Sequence, residues 1–261
     1  MDLHTVTAFV DARTEPDWQD GDAWLAGGTY LFSEPQPHLR RLLDLSRMPW
    51  PALVEYPDGS LEIAANCTVA ELSKLPFELV GQCCRAFLAS FKIWNLATVG
   101  GNLCNALPAG PMISLAAALH GDCLLLAPGG SRRTLPVNAF VTGPGRTALR
   151  PGELLRSVTV PAAALARPTA FRQASLHALG RSAVLVIGTA GPNDVEVTVT
   201  ASTTRPFRVR LSPGPGHEQE LHRALDDAIG DGWFTDVHGD PQWRRHLTHR
   251  FAEEVVRELA P

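Results

Sequence analysis

An α+β protein of two domains is the fold class this sequence predicts, on three observations. Its 261 residues with 45% hydrophobic content are enough for two cores, strand-like and helical runs alternate through the first part, and three strand-like runs then precede two helical ones. Element by element, residues 5–10 read as a strand, a second apolar stretch runs into Ala26, and the leucines of 35–45 suit a short helix and strand. These predict a small α/β unit. A second unit follows, with 61–65 extended, 69–75 helical behind a Thr68 cap, and 83–91 amphipathic at helical spacing, running straight into residues 97–102. Residues 111–120, rich in alanine and leucine, fit a buried helix. Strands at 122–127 and 134–136 flank the turn Pro128-Gly129-Gly130, and 153–161 alternates as a strand end before a looser connection at Pro161. A domain boundary near Arg167 gives domains of 1–167 and 168–261. In the second domain, runs at 170–175, 183–189 and 195–202 predict a three-stranded antiparallel sheet, backed by helices at 218–229 and 241–259 beyond the linker Pro213-Gly214-Pro215-Gly216.

The charge balance narrows the partners. With 27 acidic against 23 basic residues and a net charge of −4, nothing favours nucleic acid or an anionic membrane. The start, Met1-Asp2-Leu3-His4-Thr5, lacks a basic region followed by an apolar stretch, and no apolar run approaches the roughly 20 residues that span a bilayer. A cytoplasmic location is expected. Five cysteines (Cys67, Cys83, Cys84, Cys104, Cys123) are an odd number without a C-x-x-C pair, which predicts buried thiols rather than disulfides, a zinc site or an iron–sulfur cluster.

Two glycine pairs carry the functional signal: Ala26-Gly27-Gly28-Thr29-Tyr30-Leu31 and Ala97-Thr98-Val99-Gly100-Gly101-Asn102. Glycine lets the backbone come within hydrogen-bonding distance of a bulky ligand, and successive exposed amides form a concave trap for phosphate. Two such loops are expected to grip a pyrophosphate from both sides. Neither fits the G-x-G-x-x-G fingerprint or the phosphate-loop pattern. Other features are weaker. His246 and His249 lie three apart on a predicted helix with no carboxylate or cysteine to complete a metal site, and Arg132-Arg133 and Arg244-Arg245 read as solvated surface. Nor do any residues form a Ser-His-Asp or paired-carboxylate pattern.

Around the glycine pairs the sequence resembles a known family. Ala26-Gly27-Gly28-Thr29, Ile93-Trp94-Asn95-Leu96-Ala97-Thr98-Val99-Gly100-Gly101-Asn102 with Asn105 and Pro108, Leu149 to Leu155 before Pro161, Phe171-Arg172-Gln173-Ala174-Ser175, Arg205-Pro206 and Trp243-Arg244-Arg245-His246 occur in the family's order. Together they are similar to the FAD-binding (medium) subunit of molybdenum hydroxylases of the xanthine dehydrogenase and carbon monoxide dehydrogenase type. The resemblance implies a vanillyl-alcohol-oxidase-like (PCMH-type) FAD-binding domain of two α/β subdomains, followed by a smaller C-terminal domain of sheet and helices. It implies FAD contacts at Leu25, Ala26, Gly27, Gly28, Thr29, Tyr30 and Leu31 in the first clasp, and at Ala97, Thr98, Gly100, Gly101, Asn102 and Asn105 in the second. Leu155 is expected to lie near the flavin ring, with Arg172 as a cation favouring the reduced flavin.

The same resemblance implies an electron-transfer subunit. Electrons are expected from the [2Fe–2S] clusters of a small subunit, fed by a molybdopterin-binding large subunit, and to leave for NAD⁺, oxygen or another acceptor. Three departures stand out. Trp94 replaces an arginine, Pro111 replaces an aspartate, and Leu176-His177-Ala178-Leu179-Gly180-Arg181 replaces the usual R-R-x-x-D stretch. Two alternatives stand beside this reading: a solo FAD-dependent oxidoreductase with its own small substrate, which predicts turnover by the isolated chain, and a flavin-free scaffold, motivated by the loss of the aspartate and of the R-R-x-x-D stretch, which predicts a colourless one.

Overall fold

The computed structural model describes residues 3–14, 17–212, 214 and 217–260, the side chain of His217 excepted. Its first sheet contains β1 (Ala8–Asp11), β2 (Asp22–Leu25) and β3 (Arg41–Asp44), parallel and in the order β1-β3-β2. The helix expected within 35–45 does not form. Pro35 and Pro37 deny that stretch the amide donors and the α-region backbone of a first turn, so its leucines turn directly into β3. Buried Leu25, Leu39 and Leu42 close one face, and the Arg41 guanidinium donates to the nearly buried Asp22 carboxylate at 2.8 Å.

The second sheet is the scaffold of the molecule. Strands β4 (Leu53–Glu55) and β5 (Leu61–Ala64) lead into α1 (Val69–Leu72), which starts on a Thr68–Glu71 capping box and is shorter than expected. Helix α2 (Glu78–Ala86) ends before residue 87, so the expected unbroken run into the second glycine pair is instead α2, a bend, and the single turn α3 (Phe91–Trp94). Then come α4 (Val99–Asn105) and α5 (Pro111–Ala118); all eight residues of α5 are buried, as their composition predicts. The hairpin β6 (Asp122–Leu126) and β7 (Arg132–Pro136) turns on Gly129 and Gly130, at φ of 81° and 84°. After α6 (Val137–Phe140), the small β8 (Val141–Gly143) and β9 (Arg146–Thr147) ladder leads to β10 (Leu154–Val160). The sheet order is β4-β5-β10-β6-β7, all antiparallel. Pro161 opens the short helix α7 (Ala162–Leu165) where a loose connection was expected.

The last sheet has four strands, not three: β11 (Thr169–Ala174), β12 (Val184–Ala190), β13 (Val195–Thr200) and β14 (Phe207–Leu211), antiparallel in sequence order. Phe207, Val209 and Leu211 point inward while Arg208 and Arg210 do not, a period-two signal that the flanking arginines masked. Helices α8 (His217–Ile229) and α9 (Pro241–Leu259) cover one face, packing on Val184, Val186 and Val197. The opposite face presents Leu185 and Ile187 to the main core, where Ser114 of α5 and Thr200 share a hydrogen bond at 2.7 Å. Of the predicted linker, Pro213, Pro215 and Gly216 lie outside the described residues. No helix among the described residues is long and apolar enough to cross a membrane.

Candidate functional site

The first glycine pair forms a tight turn at the end of β2. Its carbonyls are used internally, Gly28 O accepting from Phe32 N and Tyr30 O from Ser33 N, both at 2.8 Å. Its amides are not: among the described residues, no backbone N–H of residues 27–31 donates a hydrogen bond. Five consecutive open donors on a half-exposed turn are an arrangement that can receive an anion. Both glycines are required by contact. A Cβ at Gly27 would overlap the Leu96 carbonyl, and Gly28, at φ +67°, would place one 2.5 Å from the Phe32 ring.

The second pair behaves differently. It is the first turn of α4, not a loop, and its donors are spent: Val99 N on Cys67 O (2.8 Å), Gly100 N on Ala65 O (2.9 Å), Gly101 N on Thr98 Oγ1 (3.0 Å) and Asn102 N on Thr98 O (3.0 Å). The expected second set of grasping amides is therefore absent. What the glycines supply is closeness. A Cβ at Gly100 would lie 2.5 Å from that of Ala65, so its absence seats α4 on the end of β5, while Gly101 leaves the outer face of α4 open.

Between the two segments lies a cavity of about 600 Å³, within the range of small-molecule sites. Leu25, Ala26, Gly27, Gly28, Thr29, Tyr30, Leu31, Ala97, Thr98, Gly101, Asn102 and Asn105 all line it. Gly100, Leu155 and Arg172 do not. Gly100 faces Ala65 behind α4, Leu155 is buried in the main core on β10, and Arg172 is held on α9 by Glu254 and Glu258, each at 2.8 Å. Sequence reasoning missed Trp24, whose buried indole N–H has no acceptor among the described residues, and Ser182, which enters from the last sheet. Among the described residues no acidic side chain lines the cavity. Cys104 does, with its thiol pushed up to about 12 by burial.

The other features singled out by the sequence are structural. Trp94 donates its indole N–H to Phe87 O at 3.0 Å, bracing the bend after α2, and Pro111 occupies the first turn of α5, where no donor is needed. Arg244, expected at the surface, is 1% exposed; it donates to the Ala201 and Phe234 carbonyls and pairs with Asp236, while Arg245 pairs with Asp226 on the surface. His249 is stacked on His222 at 4.2 Å and meets Asp226 at 3.0 Å; burial lowers its basicity. Arg133 donates to Glu153 at 2.8 Å. Among the described residues no cluster of three or more His, Cys, Asp or Glu side chains is placed to hold a metal ion.

Comparison with known proteins gives a consistent picture. Residues 4–163 match the family model described as FAD binding domain in molybdopterin dehydrogenase. Over 257 residues the chain is 25% identical to a putative xanthine dehydrogenase FAD-binding subunit of Escherichia coli K12, covering 90% of this chain and 87% of the relative. The fold superposes on a chain of reconstituted CO dehydrogenase from Oligotropha carboxidovorans with a TM-score of 0.83, 17% identity and 99% of each chain covered. It also superposes on quinoline 2-oxidoreductase from Pseudomonas putida 86, with a TM-score of 0.78, 18% identity, and coverage of 100% of this chain and 98% of the other.

Proposed function

The chain belongs to the family of FAD-binding domains of molybdopterin dehydrogenases, and from that premise we propose that its cavity holds FAD with the diphosphate on the amides of residues 27–31. The observation that carries this reading is the row of unused donors above a turn whose two glycines bring backbone to the cavity wall. A pocket with no acidic lining among the described residues is chemically suited to a dianionic ligand. Gly101 adds no side chain to the wall along α4, where Asn105 and the Nδ2 of Asn102 offer amide groups, the Asn102 Oδ1 already accepting from Met112 N. FAD, once bound, takes up an electron pair and gives it back. The chain's own part is to bind it, orient it and exclude water from it.

In this reading the protein is the flavin subunit of a molybdenum-dependent hydroxylase or dehydrogenase. It adopts the PCMH-type arrangement of two subdomains, with a FAD-binding domain of 1–167 and a C-terminal domain of 168–261. Its partners are a molybdopterin-binding large subunit and a [2Fe–2S] small subunit, and NAD⁺ is one acceptor to which the electrons pass. The test is direct. The purified chain is expected to show flavin absorbance with about one FAD per chain, and Gly28→Val to lose it while keeping the far-UV signature of a folded protein, because a branched side chain fits neither the φ of +67° nor the space before Phe32. Full FAD content in Gly28→Val overturns the assignment.

A further inference from the structure

A second concavity, of about 260 Å³, lies between the tip of the β6–β7 hairpin and the segment 150–153 that leads into β10. It shares no lining residue with the large cavity. Gly152, at φ +77°, lets the segment close on the hairpin: a Cβ there would lie 2.6 Å from Pro128 and 3.0 Å from the Trp18 ring. Trp18 in turn has its ring 5.6 Å from that of Trp24, which lines the large cavity. The two concavities are therefore separate sites on one packed frame.

Charge distinguishes the smaller one. Arg132, Arg133 and Arg150 line it against a single carboxylate, Glu153. That carboxylate is fully engaged. Its Oε1 accepts from Arg133 Nε at 2.8 Å, and its Oε2 accepts from Arg133 Nη2 and from the Arg150 amide, the latter at 2.8 Å. Arg133 donates further to the Ala148 carbonyl at 2.6 Å, so the nearly buried pair is a fixed and neutral part of the wall. The donors that remain are free: the Arg132 and Arg150 side chains have no hydrogen-bond or ion-pair partner among the described residues, and neither the hydroxyl nor the backbone N–H of Ser131 donates to any of them.

We propose that this pocket is a second anion site, which binds a diphosphate group between Arg132 and Arg150 with Ser131 donating to it. Two uncompensated cations on separate segments match a ligand carrying at least two negative charges. A guanidinium presents paired N–H donors in the plane that phosphate oxygens accept, and it keeps its charge at any working pH. With Glu153 already neutralised, no free carboxylate among the lining residues opposes such a ligand. The site stands whether or not the large cavity holds FAD.

Isothermal titration calorimetry of inorganic pyrophosphate into the full-length chain, purified with whatever cofactor it retains, is the test. Wild type is compared with Arg132→Gln, Arg150→Gln, the double variant and Gly28→Val. Wild type is expected to bind pyrophosphate at this site, more weakly as ionic strength rises. Each single substitution is expected to weaken that binding about tenfold and the double variant to lose it. Flavin content and melting temperature are expected to stay at wild-type values, because both side chains are exposed. Gly28→Val, altered at the other site, is expected to keep this binding. No binding to wild type, or equal binding in the double variant, overturns the proposal. Binding lost in Gly28→Val but kept in the double variant overturns it too, by assigning the anion to residues 27–31.

Discussion

At the residue scale, the sequence speaks most clearly where one residue type alone fits. Gly27 and Gly28 are legible because no other residue permits the approach to Leu96 or the positive φ beside Phe32. Trp24 and Arg181 were not legible as site residues, because their place on the cavity wall depends on how distant strands pack. Arg244 misleads for a similar reason: a guanidinium reads as surface until carbonyls at 201 and 234 and the Asp236 carboxylate surround it. Glu153 offers a clean electrostatic test. The Arg133 guanidinium holds its carboxyl down to about 2, against desolvation that pushes it upward. A depressed carboxylate contributes stability above its ordinary titration range and loses it as the pH falls toward the depressed value. Glu153→Gln is therefore expected to cost about 1–2 kcal/mol near neutral pH, with the gap closing between about pH 5 and pH 2. Urea denaturation across that range checks it; a gap independent of pH refutes the ion-pair account.

At the scale of elements, periodicity located what it can locate. Helix α9 and the hairpin on Gly129 and Gly130 were predicted where they occur, because a sustained apolar stripe and a glycine turn are local signals. The second glycine pair was not, since a Thr cap followed by Val-Gly-Gly reads as a turn, and only contact with Ala65 shows why a helix tolerates two glycines there. The missing fourth strand has the same origin, in that alternation with arginines resembles a solvated segment until β13 pairs with it. Helix α4 therefore depends on closeness rather than propensity. Gly100→Ala, though it raises helix propensity, is expected to destabilise by about 2 kcal/mol through overlap with Ala65, read as a lower melting temperature. An unchanged or raised melting temperature contradicts the packing account.

At the scale of the molecule, the last sheet is buried on both faces, and this sets the geometry of the cavity. Leu185 and Ile187 pack into the main core while Val184 and Val186 pack under α8 and α9, so the loop before β12 is held where its Arg181 and Ser182 line the cavity. That arrangement makes the cavity a joint product of the glycine turn, α4 and the C-terminal sheet, which local sequence patterns foreshadow only in part. Recognition of a diphosphate by the amides of residues 27–31 is the claim on which the rest depends, and competition calorimetry on the flavin-stripped chain tests it most directly. ADP is expected to bind and to displace FAD, with riboflavin binding far more weakly. Riboflavin binding as tightly as FAD, with ADP inert, would contradict the account.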